Sequence, residues 1–161
     1  MELSAKARAI VAAGIAFFVI ACVAMVTGSY VSSEASAKEG PLEKTIKVID
    51  ASGLTATSVS PYDLFDPEYT MAAVVCPGET RESVAKKFGL DAAHLRGIPT
   101  TPVKENYNYL LLGGQLGELK TERIDRDLVD LCNVPTQPFA TKAIIPLVKT
   151  QTGNWQLAVG E

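Results

Sequence analysis

Residues 72–89 read AAVVCPGETRESVAKKFG, and the way this run divides decides the fold. Ala72–Val75 is a short apolar run that predicts a buried strand, ending at the turn Cys76-Pro77-Gly78. Thr80 stands where a helix N-cap belongs, and a helix is predicted over Arg81–Phe88. Glu79 and Glu82 at its start, with Lys86 and Lys87 at its end, suit the helix dipole, while Gly89 suits the C-terminal stop. A strand, a cysteine turn and a capped helix in so short a span point to the α+β class.

The flanks extend that reading. Upstream, Thr45–Ile49 (TIKVI) alternates and is rich in β-branched residues, which predicts a strand, and Leu54–Val59 predicts another. Pro61 and Pro67 bracket an irregular stretch, PYDLFDP. Downstream, Asp91 opens a second short helix through Arg96, stopped by Gly97. Tyr107–Leu112 reads as a strand running into the turn Gly113-Gly114. In TERIDRDLVDL, residues 121–131, Ile124, Leu128 and Leu131 recur at helical spacing and predict a third helix. Pro135 and Pro138 force an open connection before two closing strands, Lys142–Lys149 and Trp155–Val159. Pro146 argues that the first of these lies at a sheet edge.

The other end of the chain has a different composition. Of the 161 residues, 47% are apolar, and much of that weight sits in one place. No charged residue occurs from Ala9 to Ser33, and a helix over the 18-residue run AIVAAGIAFFVIACVAMV would be roughly 27 Å long, close to a bilayer core. Lys6 and Arg8 precede it and Glu34 follows, so the positive-inside rule puts Met1 in the cytoplasm and everything after Tyr30 outside. The expected organisation is a cytoplasmic N-terminus over 1–8, a transmembrane helix over 9–28, a linker over 29–45 and an extracytoplasmic α+β domain over 46–161. Two processing readings compete with an uncleaved anchor. Ala35-Ser36-Ala37 fits a signal-peptide cleavage site, and Val19-Ile20-Ala21-Cys22 looks like a lipobox in which Cys22 would be lipidated. On the helix surface Ala9 and Ala13, Ala12 and Ala16, and Ala24 and Gly28 form small-xxx-small pairs that let another helix approach closely.

Chemistry is sparse. Cys76 and Cys132 both fall in the outer domain, where an oxidising compartment makes them the natural disulfide pair; closing that loop stabilises by about 4 kcal/mol in the chain-entropy model. A reactive Cys76 thiol at a helix start is the sharper alternative. His94 is the single histidine, so a His-rich metal cluster, a C-x-x-C-H haem site and an H-E-x-x-H helix are all absent. No catalytic residue, cofactor or metal is expected, and the chain reads as non-enzymatic. The net charge of −3 becomes −4 over residues 9–161, because Glu2, Lys6 and Arg8 lie before them. An acidic outer domain is a poor partner for nucleic acid or anionic lipid.

Two resemblances add to this. PGETRESVAKKFGLDAAHL resembles the first half of a LysM repeat, the small βααβ module that binds N-acetylglucosamine glycans. Pro77, Gly78, Glu79, Thr80, Val84, Ala85, Lys86, Lys87, Phe88, Gly89 and Leu95 fit its pattern, and Gly114-Gln115-x-Gly117 lies near its glycine-glutamine turn. Arg96-Gly97-Ile98-Pro99 stands where the repeat has Asn-Pro. The resemblance covers about residues 72–119 and implies peptidoglycan binding through Pro77, Gly78, Glu79 and Thr80 together with the loop before the last strand. In size, topology and composition, though by no motif, the chain is similar to the single-span accessory subunits of actinobacterial respiratory supercomplexes, which join a cytochrome bc complex to a cytochrome oxidase. That likeness implies a cofactor-free subunit in the plasma membrane, bound to integral membrane subunits, with its outer domain on the cytochrome c side.

Overall fold

A computed structural model describes residues 39–158 of the chain. The predicted transmembrane helix over 9–28 lies outside the described residues. Among those described, no helix is long and apolar enough to cross a membrane.

The domain is α+β. Its elements run in the order α1 (Pro41–Ala51), β1 (Ala56–Val59), α2 (Pro61–Leu64), β2 (Tyr69–Val75), α3 (Arg81–Phe88), a 3-10 turn (Ala92–His94), β3 (Tyr107–Gly114), β4 (Leu119–Asp125), β5 (Val129–Asp130), β6 (Phe139–Ala140), β7 (Ile145–Lys149) and β8 (Trp155–Leu157). The strands form two four-stranded sheets, one in the order β1-β7-β8-β5 and the other β4-β3-β2-β6. All pairings are antiparallel except β5 with β8.

The second sheet is buried on both faces, which is why its central strands read as continuous apolar runs rather than alternations. From β2 and β3, Ala72, Val74, Leu110 and Leu112 face a core shared with α1 and the first sheet, where Leu42, Ile46, Ile145, Leu147 and Trp155 join them. Val75 and Leu111 face the other way, onto Val84, Ala85, Leu95, Ile98 and Val103 from α3 and the loop behind it. Asn108, buried in β3, bridges the sheets by donating from Nδ2 to the Val129 carbonyl at 2.9 Å.

The reading of 72–89 holds. Thr80 Oγ1 accepts from Ser83 N at 3.2 Å, Ser83 Oγ accepts from Thr80 N at 2.8 Å, and Gly89 closes α3 at φ 66, in the left-handed region that favours glycine.

Four expectations are corrected. The strand predicted over Thr45–Ile49 is part of the helix α1, which also takes in residues 41–45 of the expected linker. The apolar positions that matter there are Leu42, Ile46 and Ile49, spaced for a helix with Pro41 in its first turn; Val48, which an alternating strand would bury beside Ile46, is 71% exposed. The helix predicted over Thr121–Leu131 is instead β4, a turn at Asp125–Leu128 and β5. All seven residues of β4 pair in register with β3, and this non-local ladder overrides the helical spacing of Ile124, Leu128 and Leu131. The second helix shrinks to a 3-10 turn at Ala92–His94, capped by Asp91 through Ala93 N at 2.8 Å. Finally, β7 is an inner strand, not an edge. Pro146 is tolerated because β8 is ending beside it: its carbonyl accepts from Ala158 N at 2.9 Å, and the one bond it cannot donate falls past the end of β8.

Candidate functional site

Cys76 directly follows β2 and Cys132 follows β5, so the two sheets deliver the cysteines to one place, with Cα atoms 5.7 Å apart and the sulfurs bonded. Cys76 is therefore half of a disulfide and not a reactive thiol. Its amide donates to a Glu79 carboxylate oxygen at 2.7 Å, and Cys132 N donates to Asp130 Oδ1 at 2.8 Å, so both halves of the staple are anchored by local carboxylates.

The turn Pro77–Thr80 sits beside the staple. The element order strand, helix, short helix, strand that a LysM resemblance implies is present in β2, α3, the 3-10 turn and β3, with the two strands antiparallel neighbours. The Gly114–Gly117 turn that the resemblance sets before the last strand follows β3 instead, in its hairpin with β4. The turn and the loop that would have to flank a glycan are joined to each other. Gly78 N donates to Val103 O at 2.9 Å, Val103 N to Glu79 O at 2.8 Å, and Arg81 N to Pro99 O at 2.9 Å. Arg81 Nε adds a bond to Ile98 O at 2.8 Å. The second carboxylate oxygen of Glu79 pairs with Lys87 at 2.9 Å, while Thr80 is engaged in capping α3. The polar groups of Pro77–Thr80 are thus largely committed to the fold.

Away from the staple, two apolar grooves flank β6. One, of about 250 Å³, is lined by Val74, Leu131, Phe139, Ile145, Pro146 and Leu157. The other, of about 190 Å³, lies between the end of α3 and the second sheet, against Met71, Phe88, Leu90, Leu111, Leu119 and Pro138. Neither brings a charged side chain to its wall. Large apolar side chains also stand in solvent, notably Leu116 at 92% exposed, Ile144 at 69% and Leu54 at 51%.

Sequence reading gave no sign of Glu122. Its side chain points inward from β4 and receives the first amides of α1: Leu42 N donates at 3.0 Å and Glu43 N at 3.3 Å to Oε1. Glu122 as a whole is only 5% exposed. Burial pushes it above its ordinary range, against the pull of those two N–H groups, and the nearby Glu43 charge pushes the same way. Glu43 in turn accepts from Asp125 N at 2.8 Å, so α1 and β4 cap one another. Both oxygens of Glu122 are taken up in holding the start of α1, and one oxygen of Glu43 ties β4 back to it.

His94 lies exposed on the 3-10 turn. Among the described residues, no group of three histidine, cysteine or acidic side chains could hold a metal ion. The helix-packing residues expected at Ala9, Ala12, Ala13, Ala16, Ala24 and Gly28 lie outside the described residues. No protein-family model, curated protein or solved structure matches the chain.

Proposed function

We propose that this chain is a non-catalytic, single-span membrane protein that serves as an accessory subunit of a larger membrane complex, with its C-terminal domain on the extracytoplasmic side of a bacterial plasma membrane. The observation that carries this is the Cys76–Cys132 disulfide in a domain that follows an uncharged apolar stretch of spanning length. A disulfide persists on the oxidising side of a membrane, and the Lys6 and Arg8 flank puts the domain on that side. The exposed Leu54, Leu116 and Ile144 supply apolar surface of the kind that protein partners cover. A respiratory cytochrome bc–oxidase supercomplex is the assembly that the chain's layout suggests. The second reading is a peptidoglycan-binding envelope protein, which the order of elements around Pro77–Thr80 favours and the internal pairing of that turn weakens.

The test is fractionation of native membranes. The chain stays in the membrane after alkaline washing and, on gentle solubilisation, co-migrates with a large complex on a native gel. Migration as a lone small protein contradicts the subunit reading. Retention of the full chain on purified peptidoglycan, lost on changing Glu79 and Thr80, promotes the second reading in its place.

A further inference from the structure

The two sheets expose four edges among the described residues, and three are guarded. The outer edge of β4 carries Lys120, Arg123 and Asp125, with the Asp125 amide already bonded to Glu43. β5 and β6 are two residues each, β5 ending on Asp130 and β6 preceded by Pro138. Charge, brevity and proline are the usual means of blunting an edge.

The edge of β1, four residues long, carries neither charge nor proline. Lys149 N donates to Thr55 O at 2.8 Å, and the register runs Ala56 to Val148, Thr57 to Leu147, Ser58 to Pro146. In an antiparallel ladder the bonded pairs alternate, so Thr55 and Thr57 point their amides and carbonyls at β7. Ala56 and Ser58 point theirs outward. Both residues are exposed, and among the described residues neither makes a backbone bond outside its ladder with β7. No charged residue occurs from Ala51 to Tyr62. The solvent face beside this edge is equally uncharged: Ala56 and Ser58 adjoin Pro146 and Val148, with Ile144 exposed at the start of β7 and Leu54 just ahead of β1.

We propose that β1 is a docking edge, to which an extended, uncharged segment of another polypeptide of the assembly adds as a strand. Ala56 and Ser58 form the main-chain bonds, and the face bounded by Leu54 and Ile144 receives the segment's apolar side chains. This rests on the reading of the chain as a subunit. Unpaired amides and carbonyls are satisfied by another backbone and not by lipid tails, which offer no hydrogen bonds. A second copy of this chain is disfavoured by size: an edge of two outward residues falls far below the roughly 800 Å² per partner that a stable pair of independent globular chains needs. A flexible segment from a neighbour held in the same membrane needs far less, because tethering raises its effective concentration.

The experiment uses the full chain in its native membranes. Ala56→Pro deletes one outward N–H and no bond to β7, while Ala56→Ser keeps it. Ser58→Lys blunts the edge with every backbone bond retained, should the proline disturb β1. Expected is co-migration with the large complex reduced at least tenfold for Ala56→Pro and Ser58→Lys and unchanged for Ala56→Ser, with wild-type melting temperatures for all purified chains. Full co-migration of Ser58→Lys, or of a normally folded Ala56→Pro, overturns strand addition and leaves the subunit reading standing. Lone migration of the wild type overturns both. Hydrogen exchange gives an independent reading. The Ala56 and Ser58 amides should be protected in the complex and free in the purified chain held in phosphatidylglycerol–phosphatidylethanolamine nanodiscs. Protection in those nanodiscs assigns the edge to lipid or to a second copy, and the proposal fails.

Discussion

The carboxylate of Glu122 occupies the space that a side chain on Gly40 would need: a methyl group at position 40 falls within it. The two residues lie far apart in the sequence and meet where α1 begins. Glycine is required there by close approach, not by backbone freedom.

Gly40→Ala should therefore destabilise the domain by about 1–3 kcal/mol, because the carboxylate must leave the first amides of α1 unsatisfied. Glu122→Ala should cost a similar amount. The double variant should cost clearly less than the sum, since a shortened side chain removes the clash. Denaturant midpoints of the four chains measure this, and strictly additive effects would show that the two positions are uncoupled.

Glu122 also sets a pH dependence. Burial raises its folded-state pKa above the ordinary 4.5, so the folded chain holds this proton more tightly than the unfolded chain does. The associated stability is complete below 4.5 and is lost as pH rises through the folded-state value. Glu122→Gln keeps an oxygen for the Leu42 amide and never ionises. It should flatten the fall in melting temperature just above the ordinary carboxylate range and leave the chain at least as stable at neutral pH. A melting-temperature profile parallel to wild type across that range would contradict this.

The identity of α1 can be tested by neighbours that a strand would place on one face. Ile46→Ala should cost about 2–5 kcal/mol and Val48→Ala within roughly 0.5 kcal/mol, because Ile46 is fully buried and Val48 is not. Similar costs at both positions would restore the alternating strand.

What was legible in the sequence was local. Thr80 and Gly89 carry the bounds of α3 within a single stretch, and Cys76 and Cys132 stand alone in the predicted outer domain. What was missed depends on distant residues. The start of α1 is held by Glu122 from β4, and β4 takes its form from seven pairings with β3, neither of which hydrophobic spacing reveals. Ile124, Leu128 and Leu131 matched a helix only because a turn at Asp125–Leu128 set them at that spacing. For the candidate site, Pro77–Thr80 was recognisable as a turn. Its bonds to Pro99 and Val103 were not, because they require the loop after the 3-10 turn to fold back.

Breaking the staple should be costly. Cys76→Ser or Cys132→Ser opens a loop with a sequence separation of 56, worth about 4 kcal/mol in the chain-entropy model. The two single variants should lose stability equally, and the double variant should match them. Alkylation of both Cys76 and Cys132 in the denatured wild type without prior reduction would show that no such bond exists.

Native mass spectrometry of the gently solubilised full chain tests the central claim most directly. The account predicts a fixed stoichiometry with larger integral membrane subunits, the Cys76–Cys132 bond intact within the assembly. A chain found alone, carrying only detergent or lipid, would contradict it.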